Sequence, residues 1–177
     1  LAVDHNLELL PVINKIDLPS ADPERVIAEI EDIIGIPADE APRVSAKTGE
    51  NIGEILEKLI TEIPAPTGDS TEPLKALIFD SYYDPYKGVI VYFRVVSGEI
   101  KPGQTIKMMA SGAEFLAVEV GRKMATSMVP CDVLKAGEVG YLAASIKTVS
   151  EAMVGDTITN ANNPVETALK GYRKVNP

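Results

Sequence analysis

The sequence has no tryptophan, one cysteine (Cys131) and one histidine (His5). A single cysteine excludes an intramolecular disulfide, which is consistent with a reducing compartment. One cysteine and one histidine cannot supply the four ligands of a Cys/His zinc site. We therefore expect Cys131 to be a small buried hydrophobic residue and His5 to have a surface or packing role rather than a catalytic one.

Long apolar runs are also missing. No stretch reaches the roughly 18 apolar residues that a membrane-spanning helix needs, so the sequence gives no support for membrane association. Residues 1–10 contain acidic residues and lack the basic start of a secretory signal. The chain opens at Leu1, in the middle of a pattern, and we expect it to be a segment of a longer protein.

Negative charge is concentrated in the first third of the chain. Residues 1–63 contain 14 acidic and 5 basic residues, whereas residues 64–177 contain 12 of each, so the first part carries the whole net charge of −9. Such a difference predicts two domains with different surfaces. Overall acidity argues against a general nucleic-acid binder, so DNA is not an expected partner, although a local RNA contact stays open.

The first part alternates strand and helix signals. The apolar run over 7–13 predicts a short buried parallel strand, although Pro11 could not donate to its ladder. Asp22 and Pro23 predict the N-cap and first residue of a helix that ends at Gly35. A short strand is expected around Arg43 and Val44.

A second helix is expected to begin near Asn51, with Glu54 completing a sequence similar to a capping box, and to end at Pro64. Apolar residues with helical spacing are Val26, Ile27, Ile30, Ile33 and Ile34 in the first helix, and Ile52, Ile55, Leu56, Leu59, Ile60 and Ile63 in the second. The order strand, helix, strand, helix predicts half of a doubly wound sheet. Two strands cannot bury two helices, so either other chains supply strands or the segment is loosely folded.

In the remaining sequence, the spacing of the apolar residues changes from helical to strand-like. Residues 64–73 predict a linker, 74–163 a β-barrel domain, and 164–177 a connector to a third domain. The predicted strands are Ala76–Phe79, Val89–Val96, Thr105–Met109, Phe115–Val120 and Gly140–Ile146. Their separation by turn signals predicts a small antiparallel barrel or sandwich, with Gly98, Gly103, Gly137 and Gly155 as turn glycines that require a positive φ.

Two loops contain residues suited to reading a guanine base: Asn14-Lys15-Ile16-Asp17 and Ser45-Ala46-Lys47. The Asp17 carboxylate can accept from both N1–H and the N2 amino group, while the Asn14 amide can donate to N7 and the Ala46 N–H to O6. The stems of Lys15 and Lys47 can cover the two faces of the base. Adenine would leave buried polar groups unpaired. The alternative is chance, with Asp17 and Asn14 in ordinary turns.

The two loops resemble the fourth and fifth signature motifs of GTPase G domains. The phosphate loop Gly-x-x-x-x-Gly-Lys-Ser/Thr is missing, and no Asp-x-x-Gly segment precedes Asn14. The resemblance implies GTP or GDP as ligand, with the phosphate cradle, the Mg²⁺ ligands and the water-positioning residue outside this chain. No catalytic or metal-binding residue is therefore assigned within it, and the chain itself is predicted not to hydrolyse GTP.

The second part resembles the second domain of translational GTPases, and in particular the LepA (elongation factor four) family. The segments that carry this resemblance are Pro73–Val89, Val96–Gln104, Ala136–Tyr141, Val154–Thr159 and Gly171–Val175, whereas Ala113–Pro130 matches poorly. The implied fold class is the C-terminal half of a P-loop-type α/β G domain followed by an all-β antiparallel barrel of the translation-factor second-domain type.

The resemblance further implies a ribosome-dependent elongation factor whose barrel faces the small ribosomal subunit. Its partners would be ribosomal RNA and proteins together with a guanine nucleotide, and a monomer in a bacterial cytoplasm is expected, an organelle being the alternative. Alternative functions are another translational GTPase of the elongation, initiation or release type, or a non-catalytic barrel binding module. Tyr82, Tyr83, Tyr86 and Tyr92 alternate with Lys87 and Arg94; packing on the barrel is the favoured interpretation, and RNA contact is the alternative.

Overall fold

A computed structural model describes residues 7–171. The chain divides into two compact units, Leu1–Pro64 and Ala65–Pro177. His5 and all but the first residue of the closing motif Gly171–Val175 lie outside the described residues. Within the described part, no helix is long and apolar enough to cross a bilayer.

Helix α1, Pro23–Ile34, begins and ends where the sequence predicts. The Asp22 carboxylate accepts from the Arg25 N–H at 3.1 Å, and Pro23 occupies the first turn, where its missing N–H costs nothing. Gly35 adopts a left-handed conformation (φ 76°) and donates to the carbonyls of Ile30 and Glu31. Local capping chemistry therefore determines this helix without help from distant residues.

Among residues 7–171, only one side of α1 packs against other apolar side chains. Ile27 is buried in a small cluster with Ile13, Ala38 and Ala41. Ile33 is 81% exposed, although the predicted apolar face includes it. The helical period is correct, but the first unit is too small to cover the whole face.

The apolar run over 7–13 does not form the predicted buried strand. A single parallel bridge joins Ile13 to Arg43, with N–H···O bonds from Ile13 to Pro42 (2.9 Å) and from Val44 to Ile13 (2.8 Å). Leu7 is 61% exposed. A buried parallel strand needs neighbours on both edges and both faces, and residues 7–12 have no paired strand.

Helix α2, Ile52–Glu62, differs from the prediction in two respects. Asn51 has a left-handed backbone (φ 56°) and its side chain does not cap the helix; its Nδ2 instead donates to the Arg43 carbonyl at 2.8 Å, so the predicted capping box is wrong. None of the helix residues is buried, and Ile60 is 79% exposed. The amphipathic period predicted the helix correctly but not the burial of its apolar face.

The described part of the second unit, up to residue 171, contains ten strands: β1 Lys75–Asp84, β2 Gly88–Ser97, β3 Glu99–Ile100, β4 Thr105–Met108, β5 Glu114–Leu116, β6 Glu119–Lys123, β7 Met128–Pro130, β8 Leu134–Lys135, β9 Val139–Ile146 and β10 Thr157–Asn160. Eight of them form one sheet in the order β5-β4-β10-β1-β2-β9-β6-β7, and β3 pairs with β8. All these pairings are antiparallel, which confirms the predicted all-β antiparallel architecture.

Strand details depart from the prediction at several places. The run Phe115–Val120 is divided between β5 and β6, because β5 pairs with β4 whereas β6 pairs with β9. The short strands β3, β7 and β8 carry too few residues for a period to be visible, and β10 overlaps the motif Val154–Thr159, for which no strand is predicted. A short 3-10 helix, Val149–Glu151, precedes β10.

The barrel core lies on one face of the sheet. Val89, Val91, Phe93 and Val95 alternate along β2 and are fully buried, as a period of two requires. The other main members of this cluster are Leu74, Ala76, Ile78, Ile100, Ile106, Met108, Val120, Leu134, Leu142, Ile146 and Ile158. Cys131 is half-buried against this cluster, and its Sγ donates to the Val133 carbonyl at 3.4 Å.

Close backbone approach explains one of the predicted turn glycines. Gly98 has φ 73°, and a Cβ there would lie 2.7 Å from the Cα of Leu74. Gly103, Gly137 and Gly155 also have positive φ, which confirms the turn assignment of all four. These glycines let adjacent strands turn without crowding the core.

A second, smaller cluster lies on the opposite face. Ile90, Tyr141 and Ala143 are buried there, with Tyr92 and Met128 packed against them. A Cβ at Gly121 would lie 2.6 Å from Cε1 of Tyr141, so the tyrosine ring occupies the space that the missing side chain leaves.

The Tyr141 hydroxyl donates to Glu119 Oε1 at 2.7 Å, and Lys87 Nζ donates to the same oxygen at 2.7 Å. Burial and the bond to Glu119 raise the pKa of Tyr141 well above its ordinary value. The bonds from Lys87 and Tyr141 lower the pKa of Glu119. The charged network links the hairpin end of β2 to β6 and β9.

Candidate guanine-binding site

The parallel bridge between Ile13 and Arg43 brings the two candidate loops together. Asn14 follows Ile13 directly, and Ser45 follows Arg43 by two residues, so both loops leave the bridge on the same side. The N–H of Ile16 donates to the Val44 carbonyl at 3.2 Å, which extends the contact between the segments. Loops at the carboxyl ends of adjacent parallel segments form the usual ligand edge of α/β folds.

Asn14 connects the two loops. Its Oδ1 accepts from the Lys15 N–H at 2.7 Å and from the Ala46 N–H at 3.1 Å. With the oxygen facing two backbone donors, the orientation of the amide is determined and its NH₂ group is left to donate elsewhere. Lys15 has φ 68°, an uncommon conformation for a residue with a side chain.

Asp17 is held by Ser45. The Ser45 hydroxyl donates to Asp17 Oδ1 at 2.7 Å and accepts from the Thr48 N–H at 3.2 Å. Ser45 is 0% exposed, so this contact is shielded from water. Within residues 7–171 the second Asp17 oxygen has no hydrogen-bond partner, which leaves it available to a ligand.

The loop after Arg43 is a closed turn. The Ser45 N–H donates to the Glu50 carbonyl at 3.1 Å, and the Gly49 N–H donates to the Ser45 carbonyl at 2.8 Å. Gly49 has φ 83°, which a glycine adopts without strain. The turn presents Ala46 and Lys47 at the surface while it keeps Ser45 inside.

An open pocket of about 390 Å³ lies between the loops. Its lining consists of Asn14, Lys15, Asp17, Leu18, Ala46 and Lys47. Five of the six predicted site residues therefore line one pocket, and the sixth, Ser45, lies beneath it. Sequence reasoning missed Leu18, whose only signal was its position next to Asp17.

The pocket chemistry matches one edge and two faces of a purine. Asp17 supplies acceptors, the Asn14 NH₂ supplies a donor, and the aliphatic stems of two lysines and Leu18 supply apolar walls. The Ala46 N–H is already bonded to Asn14, so a contact to a ligand oxygen requires it to share that hydrogen or to leave the Asn14 oxygen. Among the described residues no group of three His, Cys, Asp or Glu side chains is placed to hold a metal ion.

Comparison with known proteins gives a consistent relationship along the whole chain. The family model Elongation factor Tu domain 2 matches residues 88–159. Elongation factor 4 of Lachnospira eligens and of Bacillus subtilis are each 60% identical to this chain over all 177 residues, and that of Agathobacter rectalis is 59% identical. The chain spans 29% of the length of these relatives.

A solved structure supports the fold. The crystal structure of a bacterial selenocysteine-specific elongation factor, EF-Sec, superimposes with a TM-score of 0.62 and 21% identity, covering 85% of this chain and 26% of that one. At this identity the likeness concerns the fold alone. The identities of about 60% over all of this chain agree with the resemblance drawn from the residues: along its whole length, this chain is similar to a segment of the elongation factor 4 (LepA) proteins.

Proposed function

We propose that this chain is the guanine-recognising end of a G domain joined to the second-domain barrel of a ribosome-dependent translational GTPase that acts in elongation. The observation that carries the proposal is the convergence of the two loops. Asn14 is bonded to Ala46 at 3.1 Å and Asp17 to Ser45 at 2.7 Å, around one pocket. If the two loops resembled guanine-binding motifs only by chance, there would be no reason for both Asn14 and Asp17 to bond to residues of the second loop, about 30 positions away.

The proposed contacts follow from hydrogen-bond inventory. The free Asp17 oxygen and its Ser45-bonded neighbour accept from guanine N1–H and the N2 amino group, and the Asn14 NH₂ donates to N7. Ser45 acts through Asp17, because it aims the carboxylate without touching the base. Lys15, Lys47 and Leu18 cover the faces of the ring.

The proposed domain assignment is a G-domain end over 1–63, a linker over 64–73, a barrel over 74–163 and a connector over 164–177. The family's relatives are named as elongation factors, and we extend that role to the longer protein that contains this chain. GTP hydrolysis would then need the phosphate loop and Mg²⁺ ligands from other parts of that protein. The chain alone is expected to bind GTP weakly or not at all and to hydrolyse none.

Partners follow from the same proposal. The longer protein would bind ribosomal RNA and ribosomal proteins as well as a guanine nucleotide, as a monomer in a bacterial cytoplasm. An initiation or release role is less favoured, because the relatives compared above, at about 60% identity, are named elongation factor 4.

The test is a change in nucleotide specificity, from guanine to xanthine, caused by a substitution at Asp17. In the longer protein, Asp17→Asn replaces a double acceptor by an amide, so guanine loses paired donors at about 1–3 kcal/mol each, roughly 5- to 150-fold in affinity per group. Xanthine carries an oxygen where guanine has its amino group, so xanthine nucleotide affinity should rise. Fluorescent GDP and XDP titrations measure both.

The matched control is Asp32→Asn, an exposed acid on α1 outside the pocket. It makes the same chemical change in the same unit and should leave both affinities unchanged. An Asp17→Asn protein that keeps its full preference for GDP would refute the assignment of Asp17.

A further inference from the structure

A row of stacked aromatic rings lies on the outer face of the barrel sheet. Phe79 and Tyr92 stack with ring centroids 6.3 Å apart and planes at 21°, and Tyr82 and Tyr92 stack at 5.8 Å and 25°. Phe79 is 39% and Tyr82 38% exposed. We call these three side chains the aromatic platform. Offset stacking at such distances stabilises a common ring orientation.

A β-bulge at Phe79 brings Tyr82 to the outer face. The register between β1 and β2 shifts between Ile78, which faces Phe93, and Asp80, which faces Tyr92, so Phe79 is the extra residue. Ile78 is fully buried, whereas Phe79 leaves the core and joins the outer face. Without the shift, Phe79 would still lie opposite Tyr92, but Tyr82 would lie opposite the core residue Val89. With the shift, Tyr82 lies opposite Ile90 and so on the same face as Tyr92.

The platform rests on a rigid base. Tyr92 packs against the buried cluster of Ile90, Tyr141 and Ala143. The Tyr82 hydroxyl lies 3.5 Å from the Met128 sulfur on β7. Rings that are held before a partner arrives lose little conformational freedom on binding, so the platform is suited to a stacking ligand.

Cations border the platform. Lys123 is exposed and lies opposite Met128 in register, and the Met128 sulfur is 3.5 Å from the Tyr82 hydroxyl. Arg94 is exposed on β2, two residues from Tyr92 and so on the same face. Within residues 7–171 neither cation has an ion-pair partner, which leaves both free for phosphates.

The acids nearby are mostly engaged. Glu119 accepts from Lys87 and Tyr141, and Asp84 accepts from the backbone N–H groups of Tyr86 and Lys87. Asp80 lies opposite Tyr92 in register and is exposed. Its Oδ1 accepts from the Ser81 N–H at 2.8 Å, and its second oxygen offers an acceptor to a base amino group. The face therefore combines π-surfaces, unpaired cations and one acceptor.

We propose that the aromatic platform binds single-stranded RNA, stacking unpaired bases on Phe79, Tyr82 and Tyr92 while Lys123 and Arg94 contact the phosphates. Unpaired bases present π-faces that aromatic side chains stack on, and a duplex hides them. This proposal deepens the RNA part of the proposed function. It requires nothing of the pocket around Asp17.

The test uses the 177-residue chain and a 5′-labelled hexacytidylate RNA, followed by fluorescence anisotropy at low salt. Phe79→Leu and Tyr82→Leu keep apolar bulk but remove the ring, and each should weaken binding about 5- to 100-fold. Tyr86→Leu is the matched control, since Tyr86 is 97% exposed and outside the platform, and it should bind as the original chain does. Lys123→Gln should reduce the slope of the logarithm of the binding constant against the logarithm of the salt concentration by about 1.

Four results would overturn the proposal. The first is that the hexamer does not bind at low salt, and the second is that the two platform leucine variants bind it as well as the original chain does. The third is that a blunt RNA duplex of the same length binds with equal affinity. The fourth is that the chain forms a dimer in sedimentation velocity and that Tyr82→Leu dissociates it. The last would assign the platform to a second copy. Far-UV circular dichroism of each variant verifies the fold. The RNA-binding assay contains no guanine nucleotide, so its result does not depend on the outcome of the Asp17 test. The Asp17 test likewise does not depend on RNA binding.

Discussion

The hydroxyl of Tyr141 offers a clean measure of what the charged network on the outer face contributes to stability. The side chain is 0% exposed, and its hydroxyl donates to Glu119 Oε1 at 2.7 Å. Tyr141→Phe removes one oxygen and keeps the ring that fills the space above Gly121. The perturbation therefore isolates a hydrogen bond to a charged acceptor from the packing around it.

The expected loss of unfolding free energy depends on which hydrogen bonds Glu119 keeps after Tyr141→Phe. Hydrogen bonds to charged groups contribute about 1.5–3 kcal/mol. Glu119 keeps its bond to Lys87 and its side chain is 27% exposed, so no acceptor is left both buried and unpaired. We therefore expect a loss near the lower end, about 1.5 kcal/mol, or about 5 °C in the melting temperature of a unit of this size.

The loss of unfolding free energy caused by Tyr141→Phe should depend on pH in a defined direction. The folded-state pKa of Glu119 is lowered, by the Lys87 bond first and the Tyr141 bond second. Its stabilising effect is therefore present above the unfolded pKa of about 4.3 and is lost as the pH falls through the lower folded value. The raised pKa of Tyr141 means that the original chain also loses stability above about pH 10, where the unfolded tyrosine ionises.

The assay is urea unfolding of the 177-residue chain and of Tyr141→Phe at neutral, acidic and alkaline pH, followed by circular dichroism. The matched control is Tyr86→Phe, which removes the hydroxyl of a side chain that is 97% exposed and should change the free energy of unfolding by less than about 0.5 kcal/mol. Equal stabilities at neutral pH, or a difference that stays constant as Glu119 is protonated, would refute the reasoning.

Three further predictions concern single positions. Gly121→Ala should destabilise the barrel by about 1–3 kcal/mol in urea unfolding, because its Cβ would lie 2.6 Å from the Tyr141 ring, whereas Gly53→Ala, which meets open space, should not. Asp22→Ala should cost about 0.5–2 kcal/mol of first-unit stability by removing the cap on Arg25, with exposed Asp32→Ala as a control that has little effect on helical circular dichroism. Ser45→Ala in the longer protein should weaken GDP binding about 10- to 100-fold by releasing Asp17, and unchanged titrations would contradict the role of Ser45.

Local signals predicted those elements whose causes are local. Asp22, Pro23 and Gly35 are sufficient to place α1, since capping bonds join residues three to five apart. The alternation along β2 likewise predicted its buried face, because side chains of a strand alternate whatever its neighbours are. The positive-φ glycines follow from turn geometry in the same way.

The predictions that failed all depended on a neighbouring segment. Periodicity assigned an apolar face to α2, but no residue of the helix is buried, because burial depends on what lies opposite and the first unit supplies nothing there. Asn51 has the sequence of a cap, yet its amide bonds the Arg43 carbonyl from a left-handed backbone. The bulge at Phe79 was equally invisible, because it depends on the register with β2.

The sequence by itself determined the residue types of the candidate site, the two helices, the antiparallel character of the second unit and the family resemblance, since all of these depend on short-range chemistry or on motifs along the chain. Only the tertiary structure decided that Ser45 aims Asp17, that Asn14 occupies the Ala46 N–H, and that three aromatic rings meet on one face. These facts join residues up to 32 positions apart, and such contacts depend on strand pairing and register, which no local pattern specifies.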